Sequence, residues 1–142
     1  MAQAPAGFFI FEEFVLRRGR QFAAMPRLAD VPQLTRRWCF RNAWLLVLTR
    51  NDVTYAEGYC LAKNADLFEH GWVVTNAGVA LDPSIDASEI QDYQGVVYDR
   101  ERYLEWTRRC GGCEGILWTE GACKQRVRDA LKRGEAPVEL AS

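Results

Sequence analysis

A thiol, an imidazole and a carboxylate follow one another along this chain in the order a cysteine nucleophile needs. The only histidine is His70, within Glu69-His70-Gly71-Trp72-Val73-Val74. Upstream, Cys39 opens a long apolar run, Cys39-Phe40-Arg41-Asn42-Ala43-Trp44-Leu45-Leu46-Val47-Leu48; downstream, Asp82 closes a short one at Leu81-Asp82-Pro83. A free thiol ionises near pH ~8.5, so a nucleophilic cysteine needs its thiolate stabilised. A helix start supplies partial positive charge and unpaired N–H groups, and Arg36 and Arg37 stand just before Cys39. His70 would take the thiol proton and later protonate the leaving group. Asp82 would hold the imidazole tautomer by accepting its second N–H. A developing oxyanion needs donors too, and the candidates are the backbone N–H of Cys39 and the side chains of Gln33 and Asn42.

These groups can act only if the chain folds them together. Phe8 to Arg18 reads as a short amphipathic helix stopped by Gly19, and residues 20–34, with Pro26 and Pro32, read as an ordered loop. Thr35 is the expected N-cap of the helix that carries Cys39, which is apolar nearly all round and therefore buried. Val53 to Ala62 is a predicted strand with Val53, Tyr55, Tyr59 and Leu61 on one parity. Phe68 to Thr75 and Val79 to Asp82 are the next two, joined by the turn residues Asn76-Ala77-Gly78, and Tyr93 to Tyr98 is a fourth. If that turn is a three-residue loop with Gly78 left-handed, Thr75 pairs with Val79 and Trp72 with Asp82. His70, Trp72, Val74, Ala80 and Asp82 then share a face, whereas a two-residue loop puts His70 and Asp82 on opposite faces. The sequence permits the first register without forcing it. Asp99 caps a helix to Arg109, a second helix runs from about Glu120 to Arg133, and the tail after Gly134 is expected to fray.

Cys39 with Asn42-Ala43, Glu57-Gly58-Tyr59, His70-Gly71-Trp72-Val73-Val74 and Leu81-Asp82-Pro83-Ser84 together resemble the transglutaminase-like core of the papain-fold superfamily. In that family a helix-borne cysteine precedes a Gly-Tyr strand, a His-Ala-Trp strand and an Asp-Pro-Thr strand end. The resemblance spans residues 39–84 and implies Cys39 as nucleophile, His70 as base and Asp82 as orienter. Gly71 stands for the usual alanine, Ser84 for the usual threonine, and Trp38 for the glycine common before the cysteine. None of these departures touches the three catalytic residue types.

The bulk properties fit one soluble α+β domain over residues 1–142, with a core at about 33–98, a helical segment at 99–133 and the tail at 134–142. A formal net charge of −1 gives no electrostatic case for nucleic acid or an anionic membrane. The apolar patch Phe8-Phe9-Ile10-Phe11 is too short and too soon acidic for a signal peptide or a membrane span. Five cysteines without an export signal point to free thiols and a cytoplasmic location, in a compact bacterial or phage protein. Cys110-Gly111-Gly112-Cys113 reads as a glycine-rich turn with incidental thiols, a disulfide being the alternative; three thiols with Cys123 make a poor zinc site.

The expectation is thus a papain-like α+β enzyme that transfers acyl groups through a thioester on Cys39, using no metal or organic cofactor. Hydrolysis of an amide or isopeptide, deamidation and transfer to an amine all share that intermediate. A protein or peptide is the expected substrate, with Trp38, Tyr59 and Trp72 as candidate cleft residues and Trp72, on the His70 face, foremost. Two other readings stand beside it: an inactive module of this fold that binds a peptide or protein, and a thiol-disulfide protein using Cys110 and Cys113.

Overall fold

The computed structural model describes residues 10–110 and 114–142. The expected first residues of the leading helix, Phe8 and Phe9, and the thiol of Cys113 lie outside them. The described residues form an α+β fold in which a curled antiparallel sheet carries four α-helices. The helices are α1 (Ile10–Arg18), α2 (Cys39–Thr49), α3 (Arg100–Cys110) and α4 (Lys124–Lys132). The strands are β1 (Arg20–Phe22), β2 (Val53–Ala62), β3 (Leu67–Thr75), β4 (Ala80–Leu81) and β5 (Ile90–Val97), ordered β1-β5-β2-β3-β4.

Alternation along the central strands divides the apolar residues between two clusters. Val53 and Tyr55 of β2, Val73 of β3 and Val96 of β5 join Ala43, Leu46 and Val47 of α2 in the larger one. Truncating a side chain as buried as Leu46 to alanine would cost ~2–5 kcal/mol. Ala56, Cys60, Trp72, Val74, Ala80 and Tyr93 form the second cluster, with Phe22 and Ile85. His70 has the parity of this second set.

The β3–β4 connection takes the register that a three-residue loop requires. Val74 pairs with Ala80 and Val73 with Leu81, and the Thr75 N–H donates to the Val79 carbonyl at 3.0 Å. Gly78 sits at φ 79°, a conformation costly for residues with a Cβ. Continuing this register by one step brings Asp82 opposite Trp72.

Three expectations need correction. Residues 20–34 are not all loop, because β1 pairs with β5 from Arg20↔Gly95 to Phe22↔Tyr93. Three residues are too few to show a hydrophobic period, so only the partner strand reveals them. Thr35 does not cap α2: a 3₁₀ turn over Arg36–Trp38 intervenes, Trp38 holds the N-cap place, and the Thr35 hydroxyl makes no capping bond. The tail docks instead of fraying. Val138 is buried, Tyr98 bridges to Leu140, and the Ala141 N–H donates to the Val97 carbonyl at 2.9 Å.

Cys110 and Cys123 are joined in a disulfide that spans the connection between α3 and α4. The bonded partner is thus Cys123, a pairing that sequence spacing alone did not select. Among the described cysteines only Cys39 and Cys60 are free, which removes the free-thiol argument for a reducing compartment. Among the described residues, no helix is long and apolar enough to cross a membrane.

Candidate functional site

Along β3, β4 pairs with Val73 and Val74, so among the described residues the earlier part of β3 has no strand neighbour on that side. The start of α2 and the turn after β4 meet there. The Leu34 N–H donates to the Pro83 carbonyl at 2.7 Å. Asn42 Nδ2 donates both to the Thr35 carbonyl at 2.7 Å and to Ser84 Oγ at 3.0 Å. These bonds stitch the helix that bears Cys39 to the turn that bears Asp82.

Gly71 lets the helix come this close to the strand. A Cβ at that position would lie 2.8 Å from Phe40 Cδ1 and 3.4 Å from Phe40 Cα, both on the first turn of α2. The glycine therefore matters for the approach of Cys39 to the residue beside it, His70.

Cys39, His70 and Asp82 lie close together. His70 Nε2 lies 2.7 Å from Asp82 Oδ2, and the Cys39 side chain is close enough to the imidazole to favour its protonated form. With Nε2 taken by the carboxylate, Nδ1 is the ring nitrogen left for the sulfur. All three are buried, with only 9% of Cys39 exposed. Phe68 meets the His70 ring edge-on at 5.5 Å, and Trp72 stacks near it at 6.1 Å and 19°. These contacts restrict the ring's rotation, so the bond to Asp82 is held by packing as well as by charge.

Burial works to lower the His70 pKa. The Asp82 charge and hydrogen bond, with a smaller contribution from Cys39, outweigh it, and the group is pushed up to about 9. The imidazole is accordingly poised to carry the proton of an ion pair at neutral pH. Cys60, the other free thiol, is pushed strongly upward by burial, then by the charges of Asp82 and Cys39. It remains a thiol where Cys39 has a base beside it.

Other expected site residues fall elsewhere. Gln33 is exposed, and its Oε1 accepts a hydrogen bond from Arg27 at 2.9 Å, which leaves its Nε2 protons uncommitted. Asn42 is close to the site, but both its amide protons are committed and none is free for an oxyanion. The backbone N–H groups at the start of α2 are the other candidate donors. Trp72 is fully buried, so it supports the histidine from behind and does not line an open cleft. Tyr59 is half-buried and meets Trp118 edge-on at 5.5 Å. Trp38 is 53% exposed directly before Cys39, with the Arg37 guanidinium 5.7 Å from its ring centre. Of the three aromatic candidates it is the exposed one.

Two residues that sequence reasoning passed over shape the site. The Tyr93 hydroxyl donates to Asp82 Oδ2 at 2.8 Å from β5. Glu57 is fully buried on β2, one residue before the Gly58 that pairs with His70. Its carboxylate accepts from the Tyr55 hydroxyl and from the backbone N–H groups of Ile116 (2.7 Å) and Leu117 (2.5 Å). It thereby anchors a segment whose Trp118 packs on Phe40 at 6.0 Å. Burial pushes the Glu57 carboxyl up to about 7 against the opposing pull of its three donors. Neither role had a sequence signal, since Glu57 stands among apolar strand residues and Tyr93 looks like ordinary core.

Among the described residues, no group of three or more histidine, cysteine, aspartate or glutamate side chains is placed to hold a metal ion. No protein-family model, curated protein or solved structure matches the chain.

Proposed function

We propose that this chain is a thiol-dependent acyl-transfer enzyme with a transglutaminase-like, papain-type core. The supporting observation is the buried His70–Asp82 hydrogen bond with Cys39 close to the imidazole, the three residues coming from a helix start, a strand and the turn that follows β4. That is the arrangement in which an imidazole takes the thiol proton while a carboxylate stabilises the resulting imidazolium.

In the proposed cycle, the Cys39 sulfur attacks the carbonyl carbon of an amide and its proton passes to His70. Backbone N–H groups at the start of α2 stabilise the tetrahedral oxyanion. His70 then protonates the departing amine, and the acyl group remains on sulfur as a thioester. Water or a second amine, deprotonated by His70, attacks the thioester and releases the thiol. Hydrolysis, deamidation and amine transfer differ only in the leaving group and in this last nucleophile. Trp38 is the proposed contact for a protein or peptide substrate approaching the sulfur.

The test is the rate of iodoacetamide labelling at each cysteine, resolved by mass, from about pH 5 to about pH 9. Cys39 is expected to label fastest below pH 7, ahead of Cys60, and to slow in His70→Ala. If Cys39 labels no faster than Cys60, or is indifferent to His70, the acyl-transfer reading fails. The exposed Trp38 beside a nearly closed thiol also supports a second reading, a module of this fold that binds a peptide without turning it over. An unreactive Cys39 would leave that one standing.

A further inference from the structure

The acceptor capacity of Asp82 is fully used, and by groups from three separate parts of the fold. Oδ2 lies 2.7 Å from His70 Nε2 on β3 and accepts from the Tyr93 hydroxyl on β5 at 2.8 Å. Oδ1 accepts from the Ser84 N–H at 2.8 Å and the Ile85 N–H at 3.2 Å in its own turn. A carboxylate offers about four lone-pair sites, so no further donor fits and no rotation of the group is free. β5 does not adjoin β3 in the sheet; β2 lies between them. Tyr93 pairs across β2 with Cys60, and Cys60 with Phe68. The small side of β2, Ala56, Gly58 and Cys60, leaves a lane along which the phenol reaches the far side of the curl.

We propose that Tyr93 is a positioning residue of the site, its hydroxyl fixing the Asp82 carboxylate and sharing Oδ2 with His70, so that it sets how strongly Asp82 holds the imidazole. This inference deepens the acyl-transfer reading and rests on it. Burial, then the charge of Asp82, holds the Tyr93 phenol far above its ordinary range, so it remains a donor. Negative charge that Oδ2 gives to the phenol is not available to the imidazolium. Removing the hydroxyl therefore tightens the Asp82–His70 pair, while the two backbone donors keep the carboxylate in place. The titratable groups that face this cluster are Cys39 on α2, Cys60 on β2, Asp82 and Asp86 after β4, and Tyr93 on β5.

A single histidine makes the test direct, because every imidazole resonance belongs to His70. Its titration is followed by NMR from about pH 6 to about pH 11 in wild type and Tyr93→Phe. The phenylalanine keeps the buried ring, and its midpoint is expected to rise by ~0.5–1 pH unit. A ring with no role beyond packing would leave the midpoint where it is. An unchanged or lowered midpoint overturns the proposal. Should Tyr93→Phe fail to fold, 3-fluorotyrosine at position 93 keeps ring and hydroxyl while making a stronger donor. It is expected to lower the midpoint, and a midpoint that stays or rises overturns the proposal equally. Cys39 labelling tests the acyl-transfer reading separately, so an inert Cys39 with a shifted His70 midpoint separates the two failures.

Discussion

Asp82→Asn isolates charge from shape. The turn should survive, because the asparagine Oδ1 can still accept from the Ser84 and Ile85 N–H groups. Its Nδ2 then takes the place of Oδ2, facing Tyr93 and His70. The Tyr93 hydroxyl can rotate and accept, but His70 Nε2 must now accept as well. The imidazole proton is thereby driven to Nδ1, toward the sulfur it should deprotonate. Exchanging charge-assisted bonds for neutral ones costs ~1–2 kcal/mol, too little to unfold a domain of this size. The effect on chemistry is larger. An unassisted cysteine at pH 6 is only about 0.3% thiolate, so alkylation there depends on a base that takes the thiol proton. Cys39 labelling at pH 6 is thus expected to fall ~10²-fold in Asp82→Asn. The His70 midpoint, about 9 in the wild type, is expected to fall, since burial is then opposed by Cys39 without the Asp82 charge. The sign carries into stability. A histidine raised in the folded state stabilises it fully below pH 6.5, and that contribution is lost as pH climbs through about 9. Denaturation midpoints compared between pH 6 and pH 9 should show this loss in wild type and not in the variant. Labelling at the wild-type rate at pH 6, with the melting transition intact, would refute the reasoning.

Gly71→Ala places a methyl 2.8 Å from Phe40 Cδ1, so it is expected to cost ~1–3 kcal/mol and to slow Cys39 labelling by displacing the start of α2. A thermal melt and a labelling rate both equal to wild type would show that the close approach is unimportant. Glu57→Gln must turn its NH₂ toward at least one N–H donor, and a loss of ~2–4 kcal/mol is expected in denaturant unfolding. Because the Glu57 carboxyl is raised in the fold to about 7, its contribution is present below pH 4.5 and lost as pH rises through 7. The stability gap between wild type and Glu57→Gln should narrow over that range, and a gap that widens would contradict it. Reducing the Cys110–Cys123 bond, which closes a separation of 13 residues, is expected to cost ~3 kcal/mol in a reductant-dependent melt while leaving Cys39 labelling unchanged. Slower labelling after reduction would mean the α3–α4 connection supports the site.

The sequence by itself determined the four helices, the longer strands and their order, while β1 showed only in its pairing with β5. A long apolar run marked α2, and alternation marked β2 with its bounds at Val53 and Ala62. The turn chemistry of Asn76-Ala77-Gly78 was enough to propose the register that brings His70 and Asp82 to one face. These features are local, encoded in neighbours a few positions apart, which is why they can be read along a line. Only the tertiary structure decided what crosses between elements. The Asn42–Ser84 bond spans 42 positions and uses up the amide expected at the oxyanion. Glu57 holds Ile116 and Leu117 across about 60 positions, with no pattern to announce a buried acid among strand residues. Trp72 became a support behind His70 because the sheet curls over it, and curl is a property of five strands together. The same curl carries the Tyr93 phenol past β2 to Asp82. Partners of this kind are chosen by the fold, since a hydrogen bond of 2.8 Å depends on where two chains end up in space and on nothing either carries alone.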